Sequence, residues 1–372
     1  MKKKIKLIFF HPYSYLGGAD NSLQRLIKKL DLNKFSITFV SLNNSYLKKK
    51  LNKKVNFKRL KVSRTIFAIP QLRNLIMSSK SAHYKKIIII SNQNFANIIS
   101  YFSSIHIDHV KRIFIDRNHI DELNFAKSFS EKLKKVIIKS LMKIVYPKVN
   151  QLIGVSNKLS KDLSIFVKTK VKTVYSPSFD KDILTKSKKP LNLNKKFKYI
   201  INVSRFSKRK DHQTTLKAFK IVAKCFNNIK LILIGYGEER ENIIRNAKNL
   251  NIYNKIIIIN KTDNPYSYIH KSKLLILTSI YEGFPNILVE SLTIGTPVIS
   301  TNMNSGASEI LLNGKGGDLI KLGDHINLAK RIISFFNSNE ELLKKKNIAK
   351  KKLYRFSTVS HAKIYTKIFE KI

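Results

Sequence analysis

The 372-residue sequence is poor in cysteine, glycine and proline, and each scarcity excludes a class of structure. A single cysteine, Cys225, rules out a disulfide framework within the chain and favours a reducing compartment. The 12 glycines and 8 prolines, beside 43% hydrophobic residues, argue against long disordered stretches. Because single cores stop growing at about 250–300 residues, we expect two domains of ordinary size that fold throughout.

Acidic residues are also scarce, 23 against 72 Lys and Arg, which gives a formal net charge of +49. Lys, Ile and Asn are enriched along the whole length, as a genome rich in A and T codons would produce, and we favour this explanation. Attraction to an anionic membrane, where each nearby basic side chain contributes about 1 kcal/mol, is the second explanation. A nucleic-acid partner is the least favoured, since no nucleic-acid motif or zinc spacing accompanies the charge.

Long apolar runs are absent from the sequence. The runs IIII at 87–90 and 256–259 are flanked by Lys or Asn and fall far short of the roughly 20 residues that span a bilayer. The N-terminal MKKKIKLIFFHP has a basic start, but its apolar run is too short for a signal peptide and indicates a buried strand. We expect a cytoplasmic protein, with peripheral attachment to the inner face of the membrane as an open alternative.

Short apolar segments alternate with helical patterns along the chain. KIKLIFF, SITFVSL, KKIIIISN and KRIFID in the first half, and KYIINVSR, KLILIG, KLLILTS and TPVIST in the second, lack clean alternation of polar residues. Such segments are typical of parallel strands buried on both faces by helices. The predicted fold class is therefore α/β, with two doubly wound, Rossmann-like domains.

Domain boundaries are indicated by residues 176–196, where Pro, Ser and Lys accumulate and apolar periodicity fades. We place an N-terminal domain at residues 1–180, a linker at 181–196 and a second domain at 197–353. The first strand of the second domain is predicted to begin at Lys198.

The segment SIYEGFPNILVESLTIG, residues 279–295, carries the clearest chemical signal. It predicts a loop after a strand, then a helix with Pro285 in its first turn and Gly295 at its end. A helix start at the carboxyl edge of such a sheet suits an anion over residues 283–287. Glu282 and Glu290 cannot attract phosphate, but each carboxylate accepts hydroxyl groups of a sugar or ribose. Together these features indicate a nucleotide sugar.

This segment resembles the E-x7-E motif of retaining GT-B glycosyltransferases, those of glycosyltransferase family 4. NVSRFSKRKDHQTTLKAF is similar to the strand, loop and helix that carry the family's diphosphate-binding Arg and Lys. LILIGYGEER resembles its Gly-rich turn, and PYSYLGGADNSLQRL its opening glycine-rich loop. RFSTVSHAKIYTKIFEKI resembles the family's C-terminal helix, which we place at residues 354–372, crossing back to the N-terminal domain. The resemblance covers nearly the whole chain and implies two Rossmann-like domains facing a central cleft.

The resemblance implies a role for each matching position in the second half. Arg205 and Lys210 are expected to hold the diphosphate, Glu282 the donor sugar and Glu290 the ribose hydroxyls. An Arg fork binds two phosphate oxygens and a Lys adds a point charge, in agreement with these roles. Further donor-binding candidates lie in the Gly-rich turn and at the helix start: Gly235, Gly237, Glu238, Gly283, Phe284, Pro285, Asn286 and Ile287.

Two segments of the first half supply the remaining candidates. Gly17 and Gly18 lie between a strand and a helix starting near Asp20, where a small residue lets backbone N–H groups approach a phosphate or an acceptor. The loop of residues 113–124 resembles the one that places a polar side chain near the reactive carbon. Its candidates are Arg117, Asn118 and His119, of which His119 is the expected catalytic residue, and a loop histidine without function is the alternative.

The implied reaction is transfer of a hexose or N-acetylhexosamine from a UDP-linked donor, with retention, to a lipid-linked or saccharide acceptor. Assembly of a surface glycan, such as lipopolysaccharide, capsule or a glycoprotein glycan, is the expected setting. No cofactor or metal is expected, since Asp180 and Asp182, a lone D-x-D pair, lie in the predicted linker and favour a solvated hinge. A GT-B sugar-nucleotide epimerase, a phosphorylase-like enzyme and a basic nucleic-acid-binding protein remain alternatives.

Residues 131–146 have an amphipathic helical pattern. It predicts one apolar face with most of the lysines off it; the apolar positions are Leu133, Val136, Ile137, Leu141, Ile144 and Val145, and the lysines Lys132, Lys135, Lys139 and Lys143. A core helix with a basic outer face is the favoured interpretation. The alternative is a helix that rests on anionic lipid beside a polyprenol-linked acceptor.

Overall fold

The structure, a computed structural model, describes residues 3–14, 17–43, 46–79, 84–126, 128–303 and 306–372. The chain divides into two compact units. The first comprises Met1–Pro177 and Thr358–Ile372, and the second comprises Ser178–Ser357.

The first unit is built on a sheet of seven strands, as far as the described residues show, in the order β3-β2-β1-β4-β5-β6-β7. Every strand pair described in it is parallel, and the chain order reverses between β1 and β4. The central strands are buried on both faces because they are nearly continuous runs of Ile, Phe and Leu. The strands are β1 (Lys4–Phe10), β2 (Phe35–Ser41), β3 (Asn56–Arg59), β4 (Tyr84–Asn92), β5 (Val110–Asp116), β6 (Gln151–Gly154) and β7 (Lys172–Thr173).

Helices connect these strands and cover the sheet. They are α1 (Gly18–Lys29), α2 (Ala68–Ser78), α3 (Asn94–Ser104), α4 (Phe129–Val145) and α5 (Asn157–Val167). The C-terminal helix, Thr358–Lys371, also belongs to this unit and packs against α1. Its Phe369 ring meets the rings of Phe9 and Phe35 edge-on, at centroid distances of 6.5 and 5.8 Å.

The second unit has a parallel sheet in the order β10-β9-β8-β11-β12-β13, and its chain order reverses between β8 and β11. Its strands are β8 (Lys198–Val203), β9 (Ile229–Ile234), β10 (Ile256–Ile259), β11 (Leu274–Leu277), β12 (Val298–Thr301) and β13 (Asp318–Ile320). The helices are α6 (Asp182–Ser187), α7 (His212–Cys225), α8 (Arg240–Asn249), α9 (Pro265–Lys271), α10 (Asn286–Ile294), α11 (Ala307–Ile310), α12 (His325–Asn337) and α13 (Glu340–Lys351). The α/β class with two doubly wound units is confirmed.

Sequence-based boundaries match the structure best in the sheet interiors. The predicted strand start at Lys198 is confirmed, and α10 ends directly before Gly295, whose φ of 101° is readily adopted by glycine. The predicted linker at 181–196 lies instead inside the second unit, where α6 packs against α9 and α10 through the buried Ile183. A helix of six residues is too short to show an apolar period, which is why the sequence suggested a linker.

The favoured interpretation of residues 131–146, a core helix with a basic outer face, is wrong. In α4 the side chains of Leu133, Val136, Ile137 and Ile144 are each more than half exposed, and Phe129 is 83% exposed. The side that packs inward carries Ile138, Met142 and Val145. These three apolar side chains pack α4 against the rest of its unit, and the exposed apolar side chains named above lie on a second face of the helix, toward solvent.

A buried polar cluster joins β5 to α3 and to the segment after α4. The Asp116 carboxylate lies 3.3 Å from the Tyr146 hydroxyl and 3.4 Å from the Asn97 amide nitrogen, which both donate to Oδ1. Its other oxygen is buried without a hydrogen-bond partner. Burial raises the pKa of Asp116 to about 7, against the opposing effect of the Tyr146 hydrogen bond. Removing this carboxylate from water is therefore costly when it is ionised.

Asp116→Asn should abolish a pH dependence of stability. The unfolded chain releases this proton near pH 3.8, whereas the folded chain holds it up to about pH 7. The free energy of unfolding therefore falls as the pH rises from 3.8 to about 7, by up to about 1.4 kcal/mol per pH unit. Asn cannot ionise, so urea denaturation at pH 8 should show the variant to be more stable than the wild type, with the difference shrinking toward pH 4. The exposed Asp108→Asn serves as the control, and an unchanged pH profile in Asp116→Asn would contradict the argument.

Candidate functional site

Most second-half candidates lie in three loops at the carboxyl edge of the sheet. These loops follow β9, β8 and β11, which are neighbouring strands. The chain order reverses between β8 and β11, so the connections leave this edge in opposite directions. Open α/β sheets bind ligands at such a point. The fold thus brings together the segments 204–210, 235–239 and 278–285.

The loop after β11 and the loop after β8 are joined by a buried ion pair between Glu282 and Lys210. The Lys210 ammonium donates to Glu282 Oε1, and each residue is 9% exposed. The Ser279 hydroxyl donates to the same carboxylate oxygen over 3.0 Å. Sequence reasoning gave these two residues separate tasks and missed their pairing, because spacing along the chain does not report contacts between strands 70 residues apart.

Burial and the neighbouring charges have opposing effects on the pKa values of Glu282 and Lys210. Burial alone would raise the pKa of Glu282, but the charges of Lys210 and Arg209, with hydrogen bonds from Lys210 and Ser279, outweigh it, so the pKa lies below its ordinary value. Burial lowers the pKa of Lys210, while the nearby carboxylate opposes that change. We conclude that Glu282 is a carboxylate at neutral pH, able to accept hydrogen bonds from hydroxyl groups.

The Gly-rich turn after β9 packs against the loop that carries Arg205. A Cβ at Gly235 would lie 1.9 Å from the Ser204 carbonyl oxygen, and one at Gly237 2.2 Å from the Phe206 carbonyl oxygen. Gly237 also has φ of 145°. These glycines are therefore required by the close approach of two backbones, whether or not a ligand touches them.

Charged side chains flank this turn. Arg205 is exposed, with its guanidinium 6.0 Å from the centre of the Tyr236 ring. Glu238 is exposed one residue beyond Gly237. Both lie at the surface of the candidate site, where an added ligand can reach them.

The helix α10 spans Asn286–Ile294, as predicted for NILVESLTI, and Pro285 is its N-cap. Gly283, Phe284, Pro285 and Asn286 are buried and Ile287 is partly exposed. The Phe284 ring packs edge-on against Phe356, 5.2 Å between centroids, and the Ser178 hydroxyl donates to the Asn286 side-chain oxygen. Packing therefore fixes the direction in which the first turn of α10 points.

Glu290 lies one turn into α10 and is 5% exposed. The Tyr266 hydroxyl donates to Glu290 Oε1 over 3.5 Å, a weak bond. Tyr266 belongs to α9 and follows the proline with which that helix begins. The structure thus adds Tyr266 to the surroundings of Glu290.

In the first unit, Gly17 is the N-cap of α1 and Gly18 its first residue. The Gly17 N–H donates to Asp20 Oδ2 over 2.9 Å, and His11 Nε2 lies 2.6 Å from Asp20 Oδ1. The buried Asp20 carboxylate therefore occupies the positive end of α1. A phosphate contact at Gly17 and Gly18 stays a prediction.

The loop after β5 holds Arg117 and His119, and both side chains are buried. Arg117 donates to Asn92 over 2.8 Å and to Ser22 over 2.6 Å. His119 Nε2 lies 2.9 Å from an Asp162 oxygen, and its Nδ1 lies 3.0 Å from an Asp121 oxygen.

His119 Nε2 thus pairs with the Asp162 carboxylate, its Nδ1 accepts from the Asp121 N–H over 3.3 Å, and its side chain is only 1% exposed. In this arrangement the ring anchors its loop, which the sequence could not reveal because neither aspartate stands at a motif position. A catalytic role for His119 stays a prediction. The part of the chain that the structure describes has no cluster of three or more metal-binding side chains.

Comparison with known families bears directly on this site. Residues 185–352, which contain the Lys210–Glu282 pair and Glu290, match the family Glycosyl transferases group 1. These residues are called the group 1 domain here, after the family that they match. The predicted resemblance to GT-B glycosyltransferases is confirmed, whereas membership of glycosyltransferase family 4 and the retaining mechanism stay predictions.

Relatives with assigned names resemble the chain over part of its length. It is 27% identical over 232 residues to a Campylobacter jejuni enzyme, N-acetylgalactosamine-N,N'-diacetylbacillosaminyl-diphospho-undecaprenol 4-alpha-N-acetylgalactosaminyltransferase, covering 61% of this chain and 62% of that enzyme. It is 32% identical over 158 residues to the Bacillus anthracis N-acetyl-alpha-D-glucosaminyl L-malate synthase, covering 42% and 41%. The matches span less than two thirds of these relatives.

Solved structures show the same fold over nearly the whole chain. Anabaena HepE in complex with UDP superposes with a TM-score of 0.79 at 16% identity, covering 99% of this chain and 100% of that one. Sucrose-phosphate synthase from Thermosynechococcus elongatus gives 0.84 at 14% identity, covering 99% of each chain. At such identities the likeness establishes the GT-B fold alone.

Breaking the buried ion pair of the group 1 domain should be strongly destabilising. Lys210→Met leaves the Glu282 carboxylate buried without its cation, which typically costs about 3–5 kcal/mol. The double variant Lys210→Met with Glu282→Leu replaces the pair by apolar side chains and should recover most of that loss. A double-mutant cycle by urea denaturation measures the coupling.

The exposed pair of Lys344 and Glu340 offers a matched control, since Lys344→Met should leave the free energy of unfolding unchanged. The pH dependence gives a second test. Because the pKa of Glu282 is lowered by folding, the stability it contributes is present at neutral pH and lost as pH falls below the ordinary Glu range. Additive single-variant effects would contradict the coupling.

Proposed function

We propose that the chain transfers a hexose or N-acetylhexosamine, with retention of configuration, from a UDP-linked donor to a lipid-linked or saccharide acceptor. The observation that carries the proposal is the buried Lys210–Glu282 pair at the edge where the sheet order reverses, beside Glu290 on α10. The residues of this group 1 domain combine cations for a diphosphate with carboxylates for hydroxyl groups. A nucleotide sugar has both kinds of group.

In the proposed donor complex, Glu290 accepts hydrogen bonds from the ribose hydroxyls and Glu282 from the sugar. Arg205, exposed at the site, and Lys210 face the diphosphate. The N–H groups at the start of α10 add a positive dipole for the same charge. UDP is the expected nucleotide, a choice supported by the UDP that Anabaena HepE binds in its complex.

The reaction breaks the bond between the anomeric carbon and a diphosphate oxygen and forms one to an acceptor hydroxyl oxygen. The hydroxyl proton passes to the departing diphosphate, which leaves as UDP, so atoms and charge balance. Arg205, Lys210 and the α10 N-terminus stabilise the charge that develops on the leaving group. Losing one well-placed donor of this kind costs on the order of 3 kcal/mol of activation free energy.

Thermal unfolding with added ligands tests the donor site. UDP or a UDP-sugar at about 100 times its dissociation constant should stabilise the wild type by roughly 2.7 kcal/mol. Glu290→Ala should lose this effect because the ribose hydroxyls lose their acceptor. Glu241→Ala, which changes an exposed glutamate on α8, should keep it.

The outcomes of this screen separate the alternatives. GDP, GDP-mannose and a short DNA accompany the UDP ligands, and stabilisation by DNA alone, unchanged in Glu290→Ala, would refute the proposal in favour of nucleic-acid binding. Product analysis then decides the reaction class. Release of UDP that requires an acceptor indicates transfer, whereas conversion of the UDP-sugar without acceptor indicates epimerisation.

We further propose that α4 rests this enzyme on an anionic membrane surface. The outward residues of α4, here called the α4 stripe, are Phe129, Leu133, Val136, Ile137 and Ile144. On a helix with about 100° per residue they span an arc of about 100°. Among the described residues, no helix is long and apolar enough to cross a membrane.

Basic side chains flank the α4 stripe. Lys132 and Lys143 lie along one border of it and are exposed. A helix with an apolar face and a basic border suits the plane of an anionic bilayer, where apolar side chains enter the acyl boundary and lysines meet the headgroups. The acceptor of the Campylobacter relative is, by its name, a diphospho-undecaprenol, and such a lipid resides in a bilayer.

Sedimentation with liposomes tests the membrane contact. The wild type should bind phosphatidylglycerol vesicles at low salt, more weakly at high salt, and phosphatidylcholine vesicles hardly at all. The double variant Leu133→Ser with Ile137→Ser should lower binding by about tenfold or more, because two apolar side chains no longer enter the bilayer. Leu322→Ser with Ile326→Ser, equally exposed in the second unit, is the matched control.

Two results would refute the membrane proposal. One is the absence of binding to anionic vesicles at low salt, and the other is equal binding by both double variants. If the wild type instead sediments as a dimer that the α4 variant abolishes, the α4 stripe is an interface between copies of this chain.

A further inference from the structure

Five polar side chains join the ends of β8 and β11 to the start of α7. They form one hydrogen-bonded series, here called the polar chain: His212, Ser204, Asn202, Thr215 and Thr278. Ser204 is half-buried and the other four are buried. The polar chain ends at the main-chain carbonyl groups of Lys210 and Asp211.

The direction of the polar chain follows from its last members. The Thr278 hydroxyl lies 3.0 Å from the Lys210 carbonyl oxygen and 2.9 Å from that of Asp211. Carbonyl oxygens only accept, so the single Thr278 proton is committed to them. At its 2.9 Å contact with Thr215, Thr278 can therefore only accept, and Thr215 must donate.

The same reasoning determines which group donates and which accepts in each remaining hydrogen bond of the polar chain. Thr215, having donated its proton, accepts from the Asn202 amide nitrogen over 3.4 Å. This orients the amide so that its oxygen accepts from the Ser204 hydroxyl over 2.7 Å. Ser204 then accepts from His212, which lies 3.1 Å away, so His212 Nε2 carries the proton. His212 Nδ1, buried without a partner, is left as the unprotonated nitrogen of a neutral ring.

The environment of His212 agrees with a neutral ring. Burial, with the charge of Lys210, lowers the pKa of His212 to about 3. The charged groups of this region are Lys210, whose charge acts on His212, and Arg209, Asp211 and Glu282 around the same turn. The polar chain therefore keeps one direction throughout the neutral pH range.

The backbone at the end of the polar chain has an unusual conformation. Asp211 is left-handed, with φ of 43° and ψ of 55°, while its carboxylate accepts from the Thr214 N–H over 3.2 Å. Such a conformation costs free energy in a residue other than glycine and persists where its surroundings hold it. The hydrogen bond from the Thr278 hydroxyl to the Asp211 carbonyl oxygen stabilises the backbone at this position.

Three alternate residues of the loop after β11 contact the turn of residues 209–211. Thr278 donates to the carbonyl groups of Lys210 and Asp211, the Ile280 N–H donates to that of Arg209 over 2.8 Å, and Glu282 binds the Lys210 ammonium. The main chain and the side chain of Lys210 are thus held by one short segment.

We infer that the polar chain is the positioning device of Lys210, which sets its ammonium against the Glu282 carboxylate. Thr278 is the positioning residue, acting through the main-chain carbonyl groups rather than on a ligand. The role of Lys210 toward a nucleotide diphosphate rests on the proposed function, whereas the hold on its backbone does not. The polar chain therefore has a test that needs no substrate.

Hydrogen exchange of the whole chain measures the hold on the backbone. Thr278→Val keeps the shape of the side chain and removes its proton, so amides of residues 208–212 and 278–282 should exchange about tenfold faster. Thr278→Ser, which restores a hydroxyl, should return exchange close to the wild-type rate. Thr296→Val is the matched control, since it removes another buried hydroxyl that donates to a carbonyl, that of Ile269, outside the polar chain.

Equal exchange in Thr278→Val and Thr296→Val would overturn the inference. Nitrogen NMR of the wild type adds a test that needs no variant. His212 should show a protonated Nε2 and an unprotonated Nδ1 from pH 5 to 8, and a protonated Nδ1 or a titration in that range would overturn the direction of the polar chain.

Nucleotide affinity separates this inference from the proposed function. Thr278→Val should weaken UDP binding by about tenfold, with Thr278→Ser restoring it, since small misplacements of a binding group reduce its effect sharply. If the wild type binds no nucleotide while the exchange and NMR results hold, the proposed function fails and the positioning inference stands. If UDP binding is unchanged in Thr278→Val despite faster exchange, Lys210 does not depend on this hold and the inference fails.

Discussion

The buried ion pair between Lys210 and Glu282 is the interaction on which the candidate site depends. It joins two loops that leave adjacent strands in opposite directions, and the short 3-10 helix Lys208–Lys210 is the only regular structure that the described residues show between these strand ends and the helices α7 and α10. Charges can be buried at this edge only if they are paired, so the pair specifies where both loops lie. The hydroxyl groups and glycines around the ion pair then pack against loops whose positions are already defined. A site built in this way is organised before any ligand arrives.

The sheet interiors were predictable because their physical signal is local. Segments such as KLILIG and KLLILTS carry unbroken apolar runs, and only strands covered on both faces need such runs. The edge strands β3, β7 and β13 were missed for the opposite reason. β3 is largely exposed, β7 has two residues and β13 three, so none requires an apolar run long enough to recognise.

The site was predictable where chemistry coincides with a motif and unpredictable where it depends on contacts across the sheet. Glu282, Glu290 and Lys210 stand at motif positions, and the structure places all three in the group 1 domain at or near one sheet edge. The contact of Tyr266 with Glu290 and the hydrogen bonds of Thr278 depend on which strands are neighbours. Burial of His119 between Asp121 and Asp162 depends in the same way on α5 packing near the loop after β5. Sequence patterns report which face of an element is apolar, and they do not report which elements meet.

The discontinuous first unit has a consequence for synthesis on the ribosome. Phe9 and Phe35, near the start of the chain, pack against Phe369. The ribosome adds Phe369 more than 300 residues after both of them, so this contact cannot form until then. At about 5–20 residues per second, that delay is roughly 15–70 s. The second unit, Ser178–Ser357, is made during this interval and is continuous in sequence. The nascent first unit therefore presents an uncovered aromatic surface while the second unit emerges, a period in which chaperone binding competes with aggregation.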